Sequence, residues 1–264
     1  MHRSRELLNG RPTPYVHQVL TGLGAAMIVG ALLLRLRARP LLALGAGIVL
    51  ANQALPAALT AWNIPLTPLI RFLLIPGASG PWFFLYSVFG WLGVTLLGMA
   101  LGRAWLIHGS RVFRWTLTGG LVALPLFALV RLGGGFGNIR PIEGSGWIGF
   151  LNVVKYPPSL ALLLLTLGAS GILLYLFEQV GAALTRWGKP LLVFGQTALF
   201  FYVTHMFIYK VLQILWVDVR GLAGVNLPTL YLGWAAGLLL LYPICLIYGQ
   251  FKHKMPSSSL WRLF

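Results

Sequence analysis

The chain has 264 residues, 58% of them hydrophobic and 9% charged, with a formal net charge of +16. Soluble domains carry about a quarter charged residues, so a water-soluble globular core is excluded. The arginines and lysines lie in short loops between apolar blocks, so the positive excess reads as membrane topology and attraction to lipid headgroups, not as nucleic-acid binding. A lone cysteine, Cys245, excludes an internal disulfide, and metal-ligand spacings are absent.

In chain order, the polar segment 1–14 precedes a first apolar stretch, Tyr15 to Leu34, which stops at Arg35, Arg37 and Arg39. This run is long and ends in a stop-transfer cluster, unlike a signal peptide. A second stretch covers Pro40 to about Ala61, with Asn52 and Gln53 near its middle. Thr67 to Ile75 is too short to span and reads as interfacial. A third runs from Pro81 to Leu101 and a fourth from Val112 to Val130, followed by a Gly-rich polar connection, Arg131 to Pro157. The fifth runs from Pro158 to about Phe177, the sixth from Pro190 to about Leu215, and the seventh from Pro228 to Gln250. A basic tail, 251–264, closes the chain. Each long stretch is near the ~20 residues that cross a bilayer as a helix. The pattern predicts an all-α polytopic transmembrane bundle of about seven spanning helices, forming one transmembrane domain.

Loop charge sets the orientation. One side holds Arg35, Arg37, Arg39, Arg103, Arg111, Arg114, Arg186, Lys189, Lys252, Lys254 and Arg262. The other holds Arg71, Arg131, Arg140, Lys155, Lys210 and Arg220, with Glu143 and Asp218. The first side, and the carboxy terminus with it, is expected in the cytoplasm. The amino terminus then faces outward despite Arg3, Arg5 and Arg11, which points to helices missing ahead of Met1 or to a failure of the charge rule here. Gly98-Met-Ala-Leu-Gly102 and Gly233-Trp-Ala-Ala-Gly237 have the small-xxx-small spacing that brings helix backbones close.

Polar groups at bilayer depth are expensive and each needs a reason. His205 lies near the centre of the sixth stretch, with Tyr202 three residues before it and Tyr209 four after, all on one helical face. A neutral imidazole there is either a general base or nucleophile, or a buried histidine that hydrogen-bonds a neighbouring helix. Asn52 and Gln53 are either interhelical glue or cavity lining. The segment FLNVVKYPPSLALLLLTLG, residues 150–168, places Asn152, Lys155 and Tyr156 at the mouth of an apolar helix. Pro157 holds Tyr156 out of the helical region, and Pro158 suits a first turn. Lys155 either snorkels to the headgroups, pairs with Glu143, or meets an anionic substrate near a positive helix end. Phosphate loops, zinc-protease motifs and nucleophile elbows are absent, and four acidic residues leave little for a paired-carboxylate mechanism.

FLNVVKYPPSLALLLLTLG resembles the Phe-Leu-Asn-x-x-Lys-Tyr-Pro-Pro-Ser segment of the heparan-α-glucosaminide N-acetyltransferase-like family of membrane proteins, in its bacterial branch. PLLVFGQTALFFYVTHMFIYKVL is similar to that family's Leu-Val-Phe-Gly helix with its embedded histidine. LYSVFGWLGVTLLGMALGR is similar to its Trp-Leu-Gly-Val helix, although Gly90 stands where a proline is usual. The resemblance runs from about Tyr15 to about Gln250. It implies an acyltransferase in the bacterial inner membrane, with acetyl-CoA or another acyl-CoA as co-substrate and a sugar or glycan acceptor. It makes His205 a catalytic or orienting residue. Lys155, Tyr156, Asn152, Asn52, Gln53 and Tyr202 become substrate-binding candidates. The family's opening Asp-x-x-Arg-Gly segment and its histidine helix have no counterpart before Tyr15, which implies an amino-terminally shortened member. A transporter or flippase-like protein without chemistry, or an inactive remnant, are the alternatives. Membrane lipids and a possible homo-oligomer complete the expected partners.

Overall fold

The computed structural model describes residues 15–144, 146–181, 185, 188–215, 226–256 and 258–262. The polar segment 1–14 and the loop residues Arg186, Asp218 and Arg220 lie outside the described residues. The chain divides into two compact units, Met1–Gln179 and Val180–Phe264.

The first unit opens with β1 (Tyr15–His17) and continues through α1 (Val19–Leu32), α2 (Ala38–Ala61), α3 (Pro68–Leu73), β2 (Gly77–Ser79), β3 (Trp82–Phe84), α4 (Val88–His108), α5 (Arg111–Gly133), α6 (Gly146–Leu151) and α7 (Leu160–Gln179). The second holds α8 (Lys189–Gln196), α9 (Ala198–Gln213), α10 (Leu227–Lys254) and a 3-10 turn, Leu260–Arg262. The molecule is an all-α multi-pass membrane protein. α2, α4, α5, α7 and α10 are each long and apolar enough to cross a bilayer, and α8 with α9 makes a sixth if the bent pair counts as one span.

All seven apolar stretches become helices, but three differ from expectation. α1 is only 14 residues long, about 21 Å at 1.5 Å per residue, short of the ~30 Å hydrocarbon core. Its expected first turn is extended, because Tyr15–His17 pairs in parallel with Trp82–Phe84. The same pairing delays α4, which starts at Val88 and not near Pro81. β2 adds antiparallel to β3, giving the order β1-β3-β2. The sixth stretch breaks at Thr197, where α8 and α9 meet at 95°.

In the first unit α2 packs on α4 and α5 packs on α7. Glycines permit both approaches. A Cβ on Gly45 would stand 2.9 Å from the Gly93 carbonyl, and one on Gly120 would stand 2.5 Å from the Gly168 carbonyl. These are the close crossings that small residues allow between membrane helices. Neither Gly98 nor Gly102 takes part, since a Cβ on either meets nothing within 4 Å. Gly233 is likewise open, whereas Gly237 lies against the Tyr209 ring. Leu41, Leu96 and Ala100 form the buried cluster between α2 and α4. At the turn after α1, the Arg103 guanidinium donates to the Leu34 carbonyl.

Candidate functional site

The entrance to α7 gathers several buried polar side chains, among them Asn52, Gln53 and Ser159. The Tyr156–Pro157 bond is cis, and α7 begins at Leu160, two residues later than the prolines alone suggest. Ser159 is the reason. Its hydroxyl accepts from the Leu162 N–H at 3.1 Å, the usual work of a helix N-cap. Both prolines therefore precede the cap and do not open the first turn.

Asn52 and Gln53 reach this entrance from α2. The Asn52 amide donates to the Pro158 carbonyl at 3.1 Å and the Gln53 amide donates to it at 3.3 Å. Gln53 Oε1 accepts the Leu160 N–H at 2.9 Å, and its amide also donates to the Val49 carbonyl. Both side chains are buried. Together they tie α2 to the first turn of α7, satisfying backbone groups that have no other partner at a helix end. Asn52 Oδ1 itself has no partner. Gly90 faces the same point: a Cβ there would stand 2.9 Å from the Pro158 ring and 3.0 Å from Asn52 Oδ1. The departure from proline at Gly90 leaves room for Pro158.

Lys155 stands at the mouth. It is exposed, and its ammonium sits 5.3 Å from the Tyr156 ring centre and 5.8 Å from that of Tyr86, within cation–π range. The Tyr156 hydroxyl donates to the Tyr86 hydroxyl at 3.1 Å. The Tyr86 hydroxyl holds the Lys155 ammonium above the ordinary lysine range, with burial acting the other way. Burial pushes the Tyr86 hydroxyl up, the Tyr156 hydrogen bond adds to this, and Lys155 opposes it. At neutral pH the lysine is charged and Tyr86 is neutral. Glu143 does not pair with Lys155. It lies 3.7 Å from Arg140, and Arg140 also donates to Asn152 Oδ1 at 3.3 Å.

The polar connection before this mouth is organised by Arg131, which is 1% exposed. Its Nε donates to the Phe150 carbonyl at 2.9 Å. Nη1 donates to Asn138 Oδ1 at 3.0 Å and the Arg140 carbonyl at 3.2 Å. Nη2 donates to the Gly149 carbonyl at 3.0 Å and the Asn152 carbonyl at 2.9 Å. A guanidinium has five N–H donors, and all are used. Arg131 is therefore a backbone clasp, with no donor left for a substrate. Sequence reasoning placed it only as a loop charge and overlooked Tyr86. The signal for Arg131 was its position, an arginine closing an apolar helix just ahead of a glycine-rich connection.

His205 belongs to the second unit and sits halfway along α9. Its Nδ1 lies 3.2 Å from the Phe201 carbonyl. A carbonyl can only accept, so Nδ1 carries a proton and donates to it, which in a neutral imidazole leaves Nε2 as the acceptor. The imidazole stacks on Phe201 at 5.7 Å and meets the rings of Tyr202 at 5.4 Å and Tyr209 at 6.2 Å. The shared helical face expected for these residues is present. The Tyr209 hydroxyl is occupied, donating to the Trp234 carbonyl at 2.9 Å. The break at Thr197 leaves His205 at the middle of α9. Lys252 lies at the break and donates to the Gln196 carbonyl at 3.0 Å.

Residues 14–133 match the family described as heparan-alpha-glucosaminide N-acetyltransferase, catalytic. Over this segment the chain is similar to that family. The matched residues run from β1 to the end of α5 and include Asn52, Gln53, Tyr86, Gly90 and Arg131. The Lys-Tyr-Pro-Pro-Ser segment and the His205 helix lie beyond the match. No curated protein and no solved structure matches the chain at a significant level. The architecture is that of a multi-pass membrane protein, and its first 133 residues contain a segment similar to an acetyltransferase family.

Proposed function

We propose that this protein transfers an acetyl or other acyl group from an acyl-CoA to a sugar or glycan acceptor within the membrane. The observation that carries the reading is the match of residues 14–133 to the catalytic segment of an acetyltransferase family, a family whose donor is acetyl-CoA. In the transfer, an acceptor amine or hydroxyl attacks the thioester carbonyl, the C–S bond breaks, and CoA leaves as the thiol. The acceptor's proton needs a base. His205 is assigned that role because the Phe201 carbonyl engages its Nδ1, which leaves Nε2 for the acceptor's proton, and because imidazole is the commonest general base. Tyr202 lines the same face.

Lys155, Tyr156 and Asn152 are assigned to acceptor binding. An ammonium held over two aromatic rings offers a hydrogen-bond donor beside flat apolar surface, which suits a sugar ring. Asn52 and Gln53 act on that mouth through Pro158, by holding the start of α7. The loop-charge count supports a carboxy terminus in the cytoplasm, and the resemblance to the family's bacterial branch supports a bacterial inner membrane.

The test is incubation of the purified protein with labelled acetyl-CoA and a panel of amino sugars and glycans. Labelled acceptor that depends on His205 supports the reading. No labelled product together with no CoA binding removes it.

A further inference from the structure

A shallow, open groove of about 510 Å³ lies along α5, lined by Trp115, Thr118, Gly119, Val122 and Leu126, with Leu164 of α7. It opens because Gly119 has no side chain; a Cβ there would meet nothing within 4 Å. Thr118 adds no polar group to it. Its hydroxyl is turned back onto the Arg114 and Trp115 carbonyls, at 3.2 and 3.0 Å, so its methyl faces outward. From Trp115 to Leu126 the groove extends about 16 Å along the helix. An occupant of such a slot is linear and apolar.

The mouth has the opposite character. Arg111 stands one turn before Trp115 on the same line of the helix, and Arg114 flanks it. Both are exposed, and among the described residues neither pairs with a carboxylate; the one ion pair joins Arg140 to Glu143. The first turn of α5 holds no acidic residue, and Ser110 supplies no side-chain cap, so the helix end adds positive potential to the two arginines. Trp115 is half-exposed and packs edge-on against His108 at 4.9 Å, as a ring does at headgroup level.

We infer that this groove is a phospholipid site: one acyl chain lies between Trp115 and Leu126, and Arg111 and Arg114 hold the phosphate of an anionic headgroup. Charge complementarity selects the lipid. A zwitterionic headgroup would bring a cation against two arginines, whereas an anionic one meets only opposite charge. The site is independent of the acyl-transfer reading and stands or falls without it.

The experiment measures lipid retained by detergent-purified protein, using native mass spectrometry with phosphatidylglycerol or phosphatidylcholine of matched chains. Phosphatidylglycerol should be retained about ten-fold better, the order expected for two arginines near an anionic headgroup. The R111Q/R114Q pair should abolish that preference. Gly119→Leu should fill the groove and lower retention of both lipids at an unchanged melting temperature, since the space above Gly119 is open. Equal retention of the two lipids by the wild-type protein overturns the proposal. So does a Gly119→Leu or R111Q/R114Q protein that retains phosphatidylglycerol as before.

Discussion

Arg131→Lys isolates geometry from charge at the clasp before the α7 mouth. The native guanidinium satisfies four carbonyls and one amide oxygen through five hydrogen bonds. A lysine keeps the charge but brings three donors from a single point. At least two buried acceptors lose their partner, at about 1–3 kcal/mol each. The expected loss is about 4 kcal/mol, which corresponds to roughly 10 °C in melting temperature for a chain of this size. The assay is thermal unfolding in detergent, together with limited proteolysis of residues 134–152. The variant should melt lower and be cut within that connection first, because Gly149, Phe150 and Asn152 are released together. A melting temperature within 1–2 °C of wild type, with unchanged cleavage, refutes the clasp.

Gln53→Leu leaves the Leu160 N–H without its acceptor and should cost about 1–3 kcal/mol, read as a lower melting temperature; a neutral result removes the tie between α2 and α7. Gly90→Val sets a branched side chain against the Pro158 ring and Asn52 Oδ1 and should destabilise by about 1–3 kcal/mol, measured the same way. Lys155→Gln should raise the acceptor KM without altering the pH profile between pH 6 and 9. The lysine pKa is raised in the folded protein, so its stabilisation is complete below the ordinary lysine range and is lost only as pH climbs through the raised value. A change of profile shape within that window contradicts the assignment.

Most of the helical layout was legible because hydropathy and length are direct physical requirements of a bilayer. The α7 entrance was legible in part. Lys155, Tyr156 and Asn152 stood out as polar residues ahead of a leucine run. Tyr86, which accepts from the Tyr156 hydroxyl 70 residues away in the chain, carries no local signal. The break at Thr197 was hidden for a similar reason. Gly195-Gln196-Thr197 is unremarkable inside an apolar stretch, and the group that meets the broken end, Lys252 on the Gln196 carbonyl, comes from distant α10. The glycine spacings misled in the opposite direction. Gly98 and Gly102 have the expected pattern and no neighbour, while Gly45 with Gly93 and Gly120 with Gly168 make the close crossings. Spacing within one helix reports a smooth face, and the partner's sequence decides whether that face is used.

The central claim is acyl transfer with His205 as the base. Its most direct measurement is acetyl transfer from labelled acetyl-CoA to an amino-sugar or glycan acceptor by the wild-type protein and by His205→Gln, with melting temperatures of both recorded. The account predicts labelled product from the wild type and a loss of about 10²–10⁴-fold in the variant at similar stability, the usual worth of a positioned general base. Product formed equally by a stably folded His205→Gln protein, or no product from the wild type with any acceptor, contradicts it.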